Sequence, residues 1–221
     1  MNTTNQPTDP LLISFLAIRK TIGALGLLLP IVLLLVPLIF NLCPERQASI
    51  SDYYYTKMGS YFTGTLCAFS LFLFSYKGYD KADRVSSLLA CVFALGVVFF
   101  PTSINDLSSS CYVITTSSSK TTSIIHYTFA ACFFVTLSYM SLFLFTKTSG
   151  EPTPRKLKRN IIYKICGCVM LVSIVSILVF TLFFKEALNK YHPTFYLETV
   201  TLLAFSLSWL TKGEAILKDT D

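Results

Sequence analysis

Charge, glycine and histidine are all scarce in this sequence. Only 14% of its 221 residues are charged, whereas a soluble domain typically carries about 25%. The chain has nine glycines and two histidines, and it contains neither a glycine-rich phosphate loop nor an HExxH or paired-histidine helix. These absences exclude the common nucleotide-binding motifs and the common zinc-hydrolase motif.

Apolar residues are abundant instead: they make up 53% of the chain, and the mean hydropathy is +0.60. A helix needs roughly 20 residues to cross a ~30 Å hydrocarbon core. Six apolar runs approach or exceed that length, at about 21–42, 60–76, 86–104, 124–145, 162–184 and 194–211. The first is too long for the apolar part of a cleaved secretory signal. The sequence therefore predicts an all-α fold, a polytopic bundle of six transmembrane helices in a single membrane domain over residues 1–221.

The distribution of basic residues predicts the orientation of this bundle. With the N-terminus in the cytoplasm, the outer loops keep only Arg46, Lys57, Lys120, Lys185 and Lys190, and the other 13 of the 18 basic residues fall in inner segments. Because positive charge accumulates on the cytoplasmic side, both termini are expected inside. The expected location is the cell membrane, taken as a bacterial inner membrane.

The net charge of +6 does not require a nucleic-acid partner. The basic run "PRKLKR" at 154–159 lies between two predicted spans, where it favours contact with anionic lipid headgroups. Membrane lipids are therefore the expected partners, and a homo-oligomer stays open.

Several polar residues of the outer side come to a similar membrane depth. The stretch "SISDYYY" carries Asp52 and Tyr54 after the first span, Asp106 follows the third, His126 opens the fourth, and Glu198 lies about one turn inside the sixth. Ionisable groups at membrane depth are costly and mark functional sites. These five residues are the candidate ligand-binding residues. The alternatives are a solvated loop for the two aspartates, an interfacial aromatic belt for the tyrosines, and structural hydrogen bonds for His126 and Glu198.

Glu198 belongs to a polar stripe that continues along the sixth run. A spacing of three and four residues keeps the members of this stripe on one helix face, and they are Thr194, Glu198, Thr201, Phe205, Ser208 and Lys212. A polar stripe on so apolar a helix is expected to face the bundle rather than lipid. We further expect "SISDYYY" to fold over the outer mouth of the bundle and to approach His126 and Glu198.

Of the seven cysteines, only Cys43 and Cys111 are predicted to lie on the outer side. An oxidising compartment would permit a bridge between them, and the sequence leaves this pairing open. Cys166 and Cys168 are two apart on a helix and point to different faces, so they form no metal pair. No cofactor or metal is expected.

The layout of the chain resembles a known class of membrane protein. "SISDYYY" after the first span, "SIIHYTFA" at the start of the fourth and "YLETVTLLAFSLSWLTKGE" at 196–214 resemble bacterial six-helix integral membrane proteins of unsettled activity. More distantly, Ile50, Ser51 and Asp52 resemble the Ile-Ser-Asp/Glu motif that follows the first helix in the damage-regulated autophagy modulator and Sfk families. The resemblance implies a six-span bundle and no particular reaction.

Three functions stay open from the sequence. The first is a non-catalytic bundle whose outward-facing polar pocket binds a lipid or a small amphipathic ligand. The second is a transporter or channel that uses Glu198 and His126. The third is a metal-dependent membrane lipid hydrolase, which is less favoured because no metal-ligand spacing is visible. A Ser–His–Asp mechanism has no assignable nucleophile either, since Ser49, Ser51 and Ser103 are all candidates.

Overall fold

The fold comes from a computed structural model, which describes residues 10–43, 45–78, 80–104, 110–114, 116–148 and 150–218. Within these ranges the chain is all-helical, and its only β-type pairing is a single bridge between Thr56 and Tyr112. The predicted all-α class is therefore confirmed.

Six long helices and one short helix follow one another along the described chain. They are α1 (Pro10–Ile39), α2 (Gly59–Ser75), α3 (Lys81–Phe99), α4 (Lys120–Tyr139), α5 (Pro154–Val179), the short α6 (Lys185–Leu188) and α7 (Pro193–Lys212). The helices α4 and α5 each continue into a π-helical turn, at Met140–Leu144 and Phe180–Phe184, and 3₁₀ turns form at Ser51–Tyr55 and Asn189–Tyr191.

Within the described part of the chain, four helical segments are long and apolar enough to cross a membrane. They are Phe15–Ile39, Lys81–Phe99, Lys120–Leu144 and Pro154–Phe184. The helix α2 is apolar but shorter, with 17 residues, which corresponds to about 26 Å at 1.5 Å per residue. Multi-pass membrane character thus follows directly from the length and composition of these helices.

Each apolar run coincides with a helix, but several helix ends differ from the ends of the apolar runs. The helix α1 begins at Pro10 rather than 21, and α5 begins at Pro154 rather than 162, behind the N-cap Thr153. Hydropathy marks only the apolar part of a helix, whereas backbone hydrogen bonding continues to a polar cap. Arg19 consequently lies inside α1 and is 8% exposed, instead of lying in an inner tail.

The helix α3 is shifted for the same reason. It begins at Lys81 rather than 86 because Asp80 and Asp83 form a capping box around its first turn. It ends at Phe99 rather than 104, just before Pro101, which cannot continue the hydrogen bonding of the helix.

The helix α7 occupies the middle of the bundle, between α1 and α5. Four of the six stripe residues are buried as expected, since Thr201, Phe205, Ser208 and Lys212 are each at most 3% exposed. Thr194 and Glu198 are half-buried. Close packing against α1 depends on Gly26, since a Cβ atom there would lie 2.6 Å from the Ser206 hydroxyl. The bundle therefore has a tightly packed centre in which polar side chains of α7 face other helices.

Candidate functional site

The stretch "SISDYYY" is packed into the bundle and is not a water-facing turn. It forms the 3₁₀ turn Ser51–Tyr55, in which Ser51, Tyr53 and Tyr55 are buried. Local hydrogen bonds fix the turn, because Thr56 Oγ1 donates to Tyr53 O at 2.9 Å and the amide of Asp52 donates to Ser49 Oγ at 3.2 Å. We call residues 45–58 the cap loop, since this segment covers one end of the bundle.

His126, near the start of α4, contacts the cap loop. It is 2% exposed, with Nδ1 2.7 Å from the carbonyl oxygen of Phe100 and Nε2 3.0 Å from Ser51 Oγ. A carbonyl oxygen can only accept, so Nδ1 carries a proton and donates to Phe100. In the neutral imidazole, Nε2 then accepts from the Ser51 hydroxyl. The contact therefore holds Ser51 in a defined orientation.

Glu198 contacts the neighbouring residue of the same loop. It lies in the second turn of α7, and its Oε2 accepts a hydrogen bond from the amide of Ile50 at 2.6 Å. One turn earlier, the amide of Phe195 donates to the carbonyl of Ala48 at 3.1 Å. The first two turns of α7 thus hold the cap loop by its backbone, and the adjacent residues Ile50 and Ser51 connect Glu198 to His126.

A small apolar cavity lies beneath this junction. Its volume is ≈ 40 Å³, and Glu198 and Ser51 are the only polar residues in its lining. The apolar lining residues are Leu29, Ile50, Phe62, Leu66, Val97, Ala130, Phe133, Phe134 and Leu202. A space of this size holds a water molecule or a few atoms of a larger ligand. The carboxylate of Glu198 therefore stands beside an otherwise apolar cavity that Ile50 and Ser51 of the cap loop help to line.

Asp52 and Tyr54 belong to the cap loop but face other neighbours. Asp52 Oδ1 accepts from Thr102 Oγ1 at 3.1 Å, in the segment after α3. Tyr54 packs its ring against the edge of Tyr55, with 5.1 Å between centroids. The fifth candidate, Asp106, lies outside the residues that the structure describes.

The cap loop is also tied to the connection between α3 and α4. Cys43 and Cys111 form a disulfide with their Cα atoms 5.0 Å apart. Further along the loop, Tyr55 O accepts from the amide of Val113 at 2.9 Å, and the Tyr55 hydroxyl lies 3.0 Å from Ser118 Oγ. The structure thus contains the bridge that the sequence left open, and it places a covalent tether at the start of the loop.

Arg46 sets the electrostatics at the rim. Its guanidinium donates to Tyr196 Oη at 2.6 Å and lies 4.6 Å from the centroid of that ring. Burial raises the pKa of Tyr53, and burial together with the charge of Arg46 lowers the pKa of His192. Burial therefore disfavours the charged form of both side chains, and the charge of Arg46 acts on both.

The sequence did not identify which serine is the hydrogen-bond partner of His126. Ser51 is the hydroxyl partner of His126, whereas Ser49 is used inside the loop and Ser103 donates its amide to Ser123 Oγ at 2.6 Å. The three serines look alike in the sequence, and no spacing signal separates them. Only the three-dimensional position of α4 identifies Ser51.

The chain matches no protein-family model, no curated protein and no solved structure. Among the described residues, no three histidine, cysteine, aspartate or glutamate side chains lie close enough together to hold a metal ion. The geometry offers two chemically distinct features instead, a carboxylate beside an apolar cavity and a serine hydroxyl on an oriented imidazole.

Proposed function

We propose that this chain is a six-span protein of the cell membrane, a bacterial inner membrane in the simplest case, with both termini in the cytoplasm. Supporting this, α2 and α7 pack beside the four long apolar helices. The segments that this topology assigns to the inside also meet one another, since Lys147 pairs with Asp80 at 2.5 Å and Arg155 donates to Lys218 O at 2.8 Å.

Reporter fusions test this topology. Fusions after Lys81, after Arg155 and at the C-terminus should all report a cytoplasmic location, because the positive-inside rule applies to short loops of this kind. A fusion after Lys120 is the matched control and should report the outer side. An external signal at Arg155 would contradict the proposed orientation.

We propose that the outer mouth binds a lipid or a small amphipathic molecule beneath the cap loop. One observation carries this: Glu198 accepts a hydrogen bond from a loop amide at the wall of an apolar cavity. Ligand sites combine apolar walls with a few polar groups that fix orientation. Glu198 can supply the polar contact, and the surrounding leucine and phenylalanine side chains can supply the apolar one.

Binding requires the cap loop to move. In the closed state the cavity of ≈ 40 Å³ is far below the ~300–1,000 Å³ of ordinary ligand sites. If the loop lifts, the amide of Ile50 leaves Glu198 Oε2, and a ligand group that donates a hydrogen bond takes its place. The ligand is therefore expected to carry a hydroxyl or amine head on an apolar chain rather than a carboxylate head.

Titration with simple chain compounds tests this proposal. We expect dodecylamine and dodecanol to bind the purified protein, held in lipid nanodiscs, more tightly than dodecanoate. Glu198→Gln should weaken dodecylamine binding by about tenfold, the effect of losing one charge-assisted hydrogen bond. Glu151→Gln removes an exposed acid at the other end of the bundle and is the matched control. Equal affinity in Glu198→Gln and the wild type would contradict the proposed site.

The contact between Ser51 and His126 favours a second candidate, ester cleavage by serine. A hydroxyl 3.0 Å from an imidazole that is oriented by a third group has the arrangement of an activated nucleophile. Ser51 Oγ would bond to the acyl carbon while its proton passes to His126 Nε2. The alcohol would then leave with that proton, and water would release the acid. Labelling of Ser51 by a fluorophosphonate, lost in His126→Ala, would support this reaction, and an unlabelled wild type would exclude it.

Transport remains the third candidate, because Glu198 and His126 hold adjacent residues of one loop that could act as a gate. A proton-flux assay in proteoliposomes separates it from binding. Flux that is abolished by Glu198→Gln would favour transport, and absence of flux in the wild type would exclude proton movement.

A further inference from the structure

A second, larger pocket lies at the end of the bundle opposite the cap loop. Its volume is ≈ 440 Å³, within the ~300–1,000 Å³ of ligand-binding sites. We call it the basic pocket, because five cationic side chains line it against two acidic ones, namely Arg19, Lys147, Lys156, Arg159 and Lys212 against Glu151 and Glu214.

Three of the cations are almost completely buried. Arg19 of α1, Arg159 of α5 and Lys212 of α7 are 8%, 5% and 3% exposed, although charged residues are rarely buried to this degree. The positive charges of Arg19, Lys156 and Arg159 act on Lys212, opposed by the nearby carboxylate of Asp83. Three separate helices thus bring like charges together, which is costly unless negative charge is also present.

Acidic residues also lie in and beside the pocket, and the carboxylate of Asp83 acts on Lys212. Glu214 Oε1 lies 3.9 Å from an Arg159 nitrogen, and Asp80, just outside the lining, pairs with Lys147 at 2.5 Å. Glu151 is exposed at the rim. Among the described residues that line the pocket, cations outnumber acids by five to two, so an anion that entered it would meet a lining of net positive charge.

Aromatic rings hold two of these cations in fixed positions. Lys212 Nζ lies 5.3 Å from the centroid of Phe145, and the Arg19 guanidinium lies 5.7 Å from that of Tyr76. Both rings pack edge-on against Trp209, each with 5.1 Å between centroids. Cation–π contacts of this kind restrain the charged groups, so the site is organised before any ligand arrives.

The N-terminus of α5 adds a further positive contribution. The helix begins at Pro154 behind the N-cap Thr153, and Thr153 also lines the pocket. Lys156, in the first turn, donates to the carbonyl of Phe145 at 2.7 Å. The partial positive charge of a helix N-terminus favours anions, and here it is directed toward the same space as the buried cations.

We propose that the basic pocket binds a phosphate group, carried by a phosphorylated lipid headgroup or by a small soluble molecule. Arginine and lysine donors from several directions suit the oxygens of a phosphate. Basic pockets between helices at the cytoplasmic face of a membrane are suited to lipid headgroups. This inference is independent of the proposed outer site, because the two sites share no residue and lie at opposite ends of the bundle.

Two radiolabelled probes test the pocket and distinguish the sources of phosphate. The purified full-length chain in neutral detergent is titrated with dioctanoyl phosphatidic acid and, separately, with inorganic phosphate. Saturable binding of the lipid alone identifies a headgroup site. Comparable binding of both probes identifies a site for soluble phosphates. The proposal is overturned if neither probe binds, or if dioctanoylglycerol, which has no phosphate, competes as well as phosphatidic acid.

A matched pair of lysines locates the binding. Lys156→Gln changes a half-buried lysine of the pocket and should weaken binding by about tenfold, the effect of one charge-assisted hydrogen bond. Lys158→Gln removes the same charge two residues further along α5, outside the pocket, and should change binding by no more than about twofold. Equal losses in the two variants would show general attraction to a basic surface and would overturn the pocket. Unfolding midpoints of both variants confirm that each is folded.

Discussion

Glu198 and His126 hold the same loop by adjacent residues, so their contributions to stability should not add. His126→Ala removes the imidazole that bonds Phe100 O and Ser51 Oγ. Glu198→Met keeps a similar shape but leaves the amide of Ile50 without its 2.6 Å acceptor. Each buried polar group left without a partner costs about 1–3 kcal/mol. We therefore expect about 2–4 kcal/mol for His126→Ala and about 1–3 kcal/mol for Glu198→Met.

The double variant should lose less than the sum of the two single losses. Once either change releases residues 49–52, the remaining contact no longer holds a well-ordered loop, and removing it costs less. Side chains that share a structural partner typically couple by about 0.5–3 kcal/mol. A coupling of about 1 kcal/mol corresponds to about 2–4 °C in the unfolding midpoint for a chain of this length.

Thermal unfolding of the four proteins in one neutral detergent measures this coupling. Ser138→Ala combined with Glu198→Met is the matched control. Ser138 is fully buried on α4 and donates to the Gly167 carbonyl at 2.7 Å, but it lies about 18 Å along the helix from His126. The control pair should be additive. Additivity within about 0.5 kcal/mol for His126→Ala with Glu198→Met would refute the idea that the two residues act through one loop.

Three further predictions concern the rest of the fold. A membrane-impermeant thiol reagent should label Cys43 and Cys111 only after reduction, and labelling without reductant would show that the two thiols are not bridged. Because the bridge joins residues with a sequence separation of 68, its loss should lower the free energy of unfolding by about 4 kcal/mol. The hydrogen bond from Lys147 lowers the pKa of Asp80 from 3.8 to about 2. The ion pair therefore stabilises the fold above pH 4, and this stabilisation is lost as the pH falls toward 2. The difference in unfolding midpoint between the wild type and Asp80→Asn should shrink over that range, and a difference that stays constant would contradict this prediction. Gly23→Ala should destabilise the protein by about 1–3 kcal/mol, because its Cβ would lie 2.9 Å from a backbone nitrogen of α7. Gly64→Ala is the control and should be neutral, since no atom lies within 4 Å of its Cβ position. Equal unfolding midpoints of the two variants would argue against close packing of α1 on α7.

The positions of the helices could be predicted from the sequence because hydropathy depends on local composition. The apolar run at 21–42 predicted the position of α1, and the stripe through Glu198 predicted which face of α7 is turned toward the bundle. The helix ends could not be predicted in this way. Arg19 looked like part of an inner tail because a hydropathy window cannot detect the turns of α1 that continue past it.

The candidate site could be predicted only in part. Common depth brought His126, Glu198 and the loop of Asp52 into one group, and the structure places the loop against the first two. The partner of Asp52, Thr102, depends on how the chain leaves α3, which no local pattern encodes. The basic pocket was missed for a similar reason, since its buried cations come from three helices that are far apart in the sequence.

The same contacts that close the outer mouth limit how tightly it can bind a ligand. Opening must break the bonds from Ile50 to Glu198 and from Ser51 to His126, and at about 1 kcal/mol each the open form would make up about 3% of the molecules. The apparent affinity of a ligand that needs the open form is then about thirtyfold weaker than its intrinsic affinity. The disulfide at Cys43 and the hydrogen bonds of Tyr55 restrain both sides of this short segment. Of the two contacts, only the one from His126 can be weakened without removing the polar group proposed to bind the ligand. Changing His126 should therefore make the protein less stable and its outer site easier to occupy.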